Sequence, residues 1–568
     1  MKKHLLSLLV ALVATVSSLP MAAQEAYAVF TEANSTLTFY YDNLRSTRPG
    51  TKYDIPTKAA TPGWAGTDRA PQEKIKYAVF DGSFADYRPT FTSYWFQYCV
   101  KLQDIKDIRN LHTENVINMR SMFQNCKSLE SESLNLTNFN TAKVTDMSGM
   151  FQNCKSLESL DLTNFNTANV TDMTLMFRDC SALESLNLTN FNTEKVTDMG
   201  SMFDNCSSLE SLDLTNFKTE KVTDMSKMFA TCTSLESLNL TSFNTEKVTD
   251  MSRMFAFCSS LASLNLTNFK TEKVTDMNCM FYNCSSLESL NLTNFNTANV
   301  TDMSGMFLYC SSLESLNLTN FNTANVTDMS EMFRSCSSLE SLNLTNFNTE
   351  KVTNMVSMFH DCSSLASLDL TNFNTAKVTD MSEMFYDCKS LASLNLTNFN
   401  TEKVTSMFRM FYNCFSLESL NLTNFNTKKV FDMSGMFYNC SSLESLNLTN
   451  FNTKKVIYMS EMFSGCSSLT TIYCNDDWSV GGKVISHYNM FIDCPNLKGE
   501  GAAYDSSKAG IEMANPTTGY FTAKTNGIDH VKAAGKVGDG KIYDLSGRQV
   551  SNNYKGVVVT NGRKILQR

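Results

Sequence analysis

Apolar and polar positions recur along this chain in a fixed order. From residue 144 the sequence reads VTDMSGMFQNCKSLESLDLTNFNTAN, and variants of these 26 residues follow one another without a gap. Cysteines mark the period, standing at 154, 180, 206, 232, 258, 284, 310, 336, 362, 388, 414, 440 and 466, with every interval 26. Cys126 precedes them by 28, because Glu132 and Ser133 are a two-residue insertion. Degenerate copies around Cys99 (WFQYCVKL) and Cys494 (MFIDCPNL) stand at the two ends, where a stack of repeats needs atypical caps. Two hydrophobic periods share each unit. Met147, Met150, Phe151 and Cys154 fall at i, i+3, i+4 and i+7, which predicts a short helix of about two turns with Thr145 or Asp146 as its N-cap. Leu157, Leu160 and Leu162 follow LxxLxL, whose end alternates as a strand does, and Phe165 and Val170 add two more apolar anchors.

One such unit does not fold alone. Its nine apolar side chains contribute about 1.5 to 3 kcal/mol each when fully buried, and ordering its backbone costs roughly 1 to 2 kcal/mol per residue. Full burial exists only between neighbours. The expected architecture is therefore an α/β solenoid, a leucine-rich-repeat-like stack of 26-residue strand-plus-short-helix coils. With parallel strands about 4.8 Å apart, its fourteen regular coils span on the order of 65 to 70 Å.

The flanks read differently. Lys2 and Lys3, an apolar run over 5–16 and small residues up to 23 have the layout of a secretory signal peptide, too short to span a bilayer. Residues 24–95, rich in Tyr and Phe, are expected to form a β-rich N-terminal cap. The solenoid is placed at 96–500, a C-terminal cap and linker at 501–540, and a small β tail at 541–568. Without residues 1–23 the chain carries 46 Lys and Arg against 57 Asp and Glu, a net charge of −11. That acidity argues against nucleic acid as a partner, because phosphate binding relies on Lys and Arg. No later segment has the length and apolarity of a transmembrane helix.

The composition follows from the repeat. Ladder positions hold 29 of the 32 methionines, 29 of the 39 phenylalanines and 16 of the 18 cysteines. The combination MFxxCxSLxSLxLTNFNTxxVTxM, carried from about Met119 to Cys466, resembles the 26-residue bacterial surface-protein repeat of BspA-like leucine-rich-repeat proteins. The stretches AYAVF to STLTFYYD and KYAVFDGSFADYRPT resemble the leader domain that precedes those repeats. The resemblance implies a secreted or cell-surface protein of Bacteroidota-like origin that binds host proteins or other cells. In the tail, KIYDLSGRQV and GVVVTNGRKIL alternate like strands, with Ser546-Gly547 and Asn561-Gly562 as turns. They resemble the C-terminal segments that direct Bacteroidota proteins through type IX secretion.

Candidate chemistry is sparse. Ladder cysteines share a face with Met and Phe, where a free thiol behaves as a small hydrophobe, and no CxxC pair supports a metal. Cys279 and Cys474 lie off the ladder. An Asp column runs through 146, 172, 198, 224, 250, 276, 302 and 328, broken at Asn354, Ser406 and Tyr458; it reads either as first-turn carboxylates or as a calcium site. Ten N-L-T triplets, such as Asn187 to Thr189, match a glycosylation sequon but read as strand residues, and Ser159, Asp161 and Thr163 recur as a polar strand-face ribbon. The four histidines beyond the leader, His112, His360, His487 and His530, have no repeated partner, and there is no nucleophile or phosphate-loop motif, so no catalytic residue, cofactor or metal is assigned.

Comparison between coils locates variation at the two residues between Phe and Cys. On a helix, position 152 lies about 150° from the centre of the buried face, so its equivalents are expected to be exposed. Tyr282, Tyr386, Tyr412 and Tyr438 occupy it, and with Tyr309 they form a candidate contact patch, set against neutral variation at a permissive position. The functional expectation is adhesion or interaction with host extracellular or cell-surface proteins or glycans, or with other bacteria, at the cell surface or in the medium. The alternative is a structural stalk or antigenic array without a specific ligand.

Overall fold

A computed structural model describes residues 23–480, 484–524, 542–544, 549–551, 556–560 and 563–567. The expected leader lies outside these except for residue 23, as do residues 525–540 and both expected tail turns.

The described residues form a stack of coils made almost wholly of turns, with no α-helix. The short helix expected over 147–154 is corrected to a run of turns. The Met150, Gln152 and Cys154 N–H groups each donate three residues back, to Met147, Gly149 and Phe151, at 3.1 Å. The N–H groups between them leave the coil: Gly149 donates to Thr174 (2.8 Å), Phe151 to Met176 (3.0 Å) and Asn153 to Arg178 (2.6 Å) of the next coil. Gly149 (φ 59°) and Asn153 (φ 61°) are left-handed, as the third residue of such turns requires. Each four-residue turn points its first and last residues inward. Two in succession put Met147, Met150, Phe151 and Cys154 on one face, a spacing that eight residues do not distinguish from a helix.

Asp146 accordingly caps no helix. Its Oδ1 accepts the Ser148 N–H at 2.9 Å and the Ser148 hydroxyl at 2.6 Å, an Asx-turn that opens the run of turns. Its backbone bridges in parallel to Asn118 and Asp172, one link in a column that extends from Phe91 to Ser486. The LxxLxL segment forms strands of only two or three residues. Ser367–Leu368, Ser393–Leu394 and Ser419–Leu420 pair in parallel with equivalent residues opposite each other, as do Ser289–Leu290 and Ser315–Leu316.

Identical residues stack upon themselves in the core. Met147, Met150, Phe151, Cys154, Leu157, Leu162, Phe165 and Val170 are buried, and Leu160 nearly so. Phe rings stack from Phe96 through Phe123, Phe151 and Phe177 to Phe491, most at 5.6 to 5.8 Å with near-parallel planes. Polar ladders bind the coils as well. The buried Thr167 hydroxyl donates to the Asn192 carbonyl (2.9 Å) and accepts the Asn192 N–H (2.7 Å), a reciprocal bond repeated at the equivalent Thr from Thr113 to Thr427. Asn190 Nδ2 donates to the Leu162 and Phe165 carbonyls of the preceding coil.

Both ends of the stack are closed. At the N-terminus five strands, β1 (Glu25–Thr31), β2 (Thr36–Asp42), β3 (Thr51–Asp54), β4 (Tyr77–Phe80) and β5 (Asp104–Lys106), lie in the order β3-β1-β2-β4-β5. The first three pair antiparallel and the last three parallel. Ile105 of β5 falls where Leu160 falls in a regular coil, so the cap sheet runs into the strand column. Phe39 sits at its centre, against Phe80, Trp95 and Trp64. The two-residue insertion forms the 3₁₀ turn Ser131–Ser133, and Ser131 Oγ accepts the Glu158 and Ser159 N–H groups. At the far end Phe521 continues the strand column beyond Ile472, and Tyr520 packs edge-on against Phe491. Ile542–Asp544, Gln549–Val550, Gly556–Thr560 and Arg563–Gln567 form a separate antiparallel sheet, in which the last two strands pair with each other.

Candidate functional site

The turn run places four positions per coil on the outer side, equivalent to 148, 149, 152 and 153. Residues 149 and 153 are turn tips with positive φ in coil after coil, including bulky Leu175, Lys227, Arg253, Phe257, Tyr309 and Arg409. Left-handed backbone is unfavourable for such residues by about 1 to 2 kcal/mol each. The inter-coil hydrogen bonds on the alternate N–H groups hold it in place. The tips therefore project side chains that the core does not constrain.

The five tyrosines fall into two separate groups. Tyr386, Tyr412 and Tyr438 stack on successive coils with centroids 4.7 and 4.3 Å apart and planes within 6° of parallel. His360 extends this column at 4.4 Å from Tyr386. Tyr282 lies 4.4 Å from Phe257 and 6.0 Å from Tyr309. Tyr309 belongs to the tip column equivalent to 153, not to that of 152. The exposure expected at position 152 is corrected: Tyr282, Tyr386, Tyr412 and Tyr438 are half-buried, because aromatic side chains of the neighbouring coils pack against their rings. Burial pushes the Tyr412 phenol up to about 12. His360 Nδ1 stands 3.3 Å from Glu383 Oε2, and that contact, the largest influence on it, holds the Glu383 carboxyl below its ordinary value.

Beyond these tyrosines the outer columns change character. At the position of Thr145, which is Thr in most coils, stand Phe431, Ile457 and Ile485; at the position of Asp146 stand Tyr458 and Ser486. Of the ten exposed large apolar side chains among the described residues, five lie within 431–488, with Tyr488 60% and Tyr458 40% exposed. At positions 142 and 143 most coils carry Glu-Lys, Ala-Lys or Ala-Asn, whereas these carry Lys428-Lys429 and Lys454-Lys455, all exposed. A notch of about 270 Å³ opens beside Gly435, between Arg409 and Glu461. Neither this notch nor the lysine pairs belonged to the sequence-based candidates; the signal available was the replacement of Thr-Asp by Phe-Asp and Ile-Tyr in coils whose core residues do not change.

The other candidates are structural. Each ladder thiol from Cys126 to Cys494 donates to a Phe carbonyl of the preceding coil, as Cys154 does to Phe123 at 3.1 Å, and burial pushes the Cys180 thiol up to about 12. Cys474 is buried and Cys279 half-buried. The Asn of each N-L-T triplet is not a mid-strand residue: Asn187 Oδ1 accepts the Thr189 N–H (3.1 Å) and hydroxyl (2.8 Å), an Asx-turn at the end of the strand segment. Among the described residues no cluster of His, Cys, Asp or Glu has the geometry of a metal site, and no helix is long and apolar enough to cross a membrane.

Coils of fixed length, self-stacking core residues and variable outer tips define a repeat solenoid whose chemistry lies on its surface. Residues 90–504 match, in overlapping segments from 90–212 to 390–504, the family described as Mycoplasma protein of unknown function, DUF285, and the chain belongs to that family. No curated protein matches the chain. Similar solved structures include a leucine-rich repeat protein from Bacteroides ovatus, at 17% identity and TM-score 0.37 over 76% of this chain and 97% of that one. A leucine rich cell surface protein from Faecalibacterium prausnitzii is similar at 14% identity and TM-score 0.24, over 82% of this chain and 99% of that one. The functional domain of InlJ from Listeria monocytogenes, which includes a cysteine ladder, is similar at 15% identity and TM-score 0.18, over 68% and 66%.

Proposed function

We propose that the protein is an extracellular interaction module whose outer face, towards the C-terminal end of the stack, adheres to proteins or glycans of host or neighbouring cells. The observation that carries this reading is the concentration of exposed aromatic and lysine side chains within 428–458, on coils whose inward Met, Phe and Cys columns are unaltered, continued by Ile485 and Tyr488 on the terminal coil, where exposed His487 replaces the first Met. Exposed aromatic groups grouped in this way mark interaction sites, Tyr and Arg dominate contact energies, and the lysines add long-range attraction for anionic partners. The leader at 1–23 and the tail at 541–568 complete the reading as export and sorting segments of a BspA-like surface protein, around a cap at 24–95 and a solenoid at 96–500.

Immobilised protein lacking residues 1–23 should capture one or more of a panel of matrix proteins, mucins and intact cells. Returning the outer residues of 428–488 to those of the middle coils should abolish capture while leaving thermal unfolding unchanged. Absence of saturable binding across the panel rejects the adhesion reading in favour of a stalk or antigenic array, a reading supported by the near-identity of the middle coils. Deleting 541–568 should hold the chain in the periplasm; unaltered surface display rejects the sorting role.

A further inference from the structure

The tip column equivalent to 149 carries Glu383, Arg409, Gly435 and Glu461 on successive coils, all with positive φ. Gly435 is what keeps the notch open: a Cβ there would lie 3.2 Å from Arg409 Cγ and 3.3 Å from Tyr412 Cδ2. Arg409 rests its guanidinium over the rings of Phe408 (4.8 Å) and Tyr412 (5.0 Å), and among the described residues no carboxylate lies within 4.0 Å of it. It is a positioned cation on the wall of a cavity, with no direct ion pair among the described residues and with the Asp432 carboxylate as its neighbouring charge. Asp432 and Glu461 line the same space, and Tyr458 and Tyr488 border it with exposed rings.

These groups restrict the ligand. Arg409 calls for an anion with bidentate geometry, a carboxylate above all. Asp432 and Glu461 repel a second negative charge close by but accept hydrogen bonds from hydroxyl groups. Exposed tyrosine rings offer apolar faces with polar rims. A ligand with one carboxylate, several hydroxyls and an apolar C–H face satisfies all three demands. A neutral sugar leaves Arg409 unpaired, and an acidic peptide sets successive carboxylates against Asp432 and Glu461. Lys428, Lys429, Lys454 and Lys455, on the same two coils, provide a positive surround in an otherwise acidic chain, which favours a longer ligand bearing further charges.

We infer that the Gly435 notch binds a carboxylated sugar, a uronic or sialic acid residue of a glycan, with Arg409 pairing its carboxylate and Tyr458 packing on its ring. This rests on the reading of the C-terminal outer face as a contact surface and gives that surface a ligand class. The test uses the full chain without its leader, titrated with trigalacturonic acid and sialyllactose, and with methyl-esterified trigalacturonate and lactose as neutral counterparts. A glutamate hexapeptide and a heparin oligosaccharide test the peptide and sulfate alternatives. At least one carboxylated sugar should bind tenfold or more tightly than its neutral counterpart and than the hexapeptide and heparin. Arg409→Gln and Tyr458→Ala should each lose that binding tenfold or more, while Arg253→Gln, at the same tip position of a middle coil, leaves it unchanged. Equal binding of acid and neutral forms, preference for the hexapeptide or heparin, retention in Arg409→Gln, or no binding of either acid overturns the assignment. Capture of cells by the same proteins separates the two readings: capture that persists in Arg409→Gln without sugar binding defeats the ligand and leaves adhesion standing.

Discussion

The middle coils, roughly 196–350, and the coils from 404 to 469 share the same interior and differ outside. In both, Met, Phe, Cys and Leu columns are buried and in register, and the Phe rings keep the same spacing: Phe255 to Phe281 and Phe411 to Phe437 both measure 5.7 Å. Outside, the middle coils repeat Thr-Asp unchanged and carry Glu-Lys or Ala-Asn, and the later coils bring in Phe, Ile, Tyr and Lys-Lys at these positions. In a one-dimensional stack each coil touches only its neighbours, so stability sums over inward columns while outward positions change independently. Recognition is then expected where the outer repeat breaks and the inner one does not.

The strongest way to break that separation is to damage the shared interior. Phe281→Ala removes a ring stacked at 5.7 Å on both sides and should cost about 3 to 5 kcal/mol. Chemical denaturation should then show two transitions, because the stack parts at the damaged coil; a single transition with unchanged midpoint would contradict nearest-neighbour coupling. Next in size is a polar ladder. Thr271→Val leaves the Asn296 N–H and carbonyl without their partner and should cost about 1 to 3 kcal/mol by the same measurement.

Smaller effects sharpen the contrast. Tyr458→Asp and Phe431→Thr restore the residues of the middle coils and should change stability by no more than about 0.5 kcal/mol, whereas ligand capture falls. Native alkylation should label Cys279 first and leave the ladder thiols unreacted until the chain unfolds, as mass spectrometry can follow.

The smallest expected effect is electrostatic. Burial, with the Asp250 and Asp302 carboxylates nearby, holds Asp276 above the usual carboxylate value. A raised folded value means that the folded chain takes up its proton first as pH falls, so the penalty of the ionised group is greatest at neutral pH and is relieved on acidification through that value. Asp276→Asn keeps the oxygen that accepts the Asn278 N–H and should raise the melting temperature at pH 7, with the gain shrinking towards pH 4. The column already contains this substitution at Asn354, whose Nδ2 donates to Asp328 Oδ2 at 3.1 Å. A gain that does not shrink on acidification would remove carboxylate burial as its cause.

Much of this was legible in the residues, with one instructive miss. The 26-residue period, the inward columns and the need for caps follow directly from where Met, Phe, Cys and Leu recur. The helix did not follow, because two four-residue turns and two helical turns share one apolar spacing. A discriminating signal was present: the position of Asn153 is Asn, Asp or Gly in nine of thirteen coils from Asn153 to Gly465, the residues that tolerate left-handed backbone. Thr167 and Asn190 were likewise hidden, since a polar residue used as a coil-to-coil hydrogen-bond rung has no hydrophobic period to reveal it.

By itself the sequence determined that the chain is a stack, which residues face inward and how many coils there are, because burial of a repeated apolar pattern has one economical solution. Only the tertiary structure decided what each coil is made of and what its outer tips bring together. Alternate N–H groups find partners on the next coil only once the coils are stacked, and that choice turns a helical spacing into turns. The same stacking places Arg409, Gly435, Tyr458 and Tyr488, separated along the chain, around a single notch.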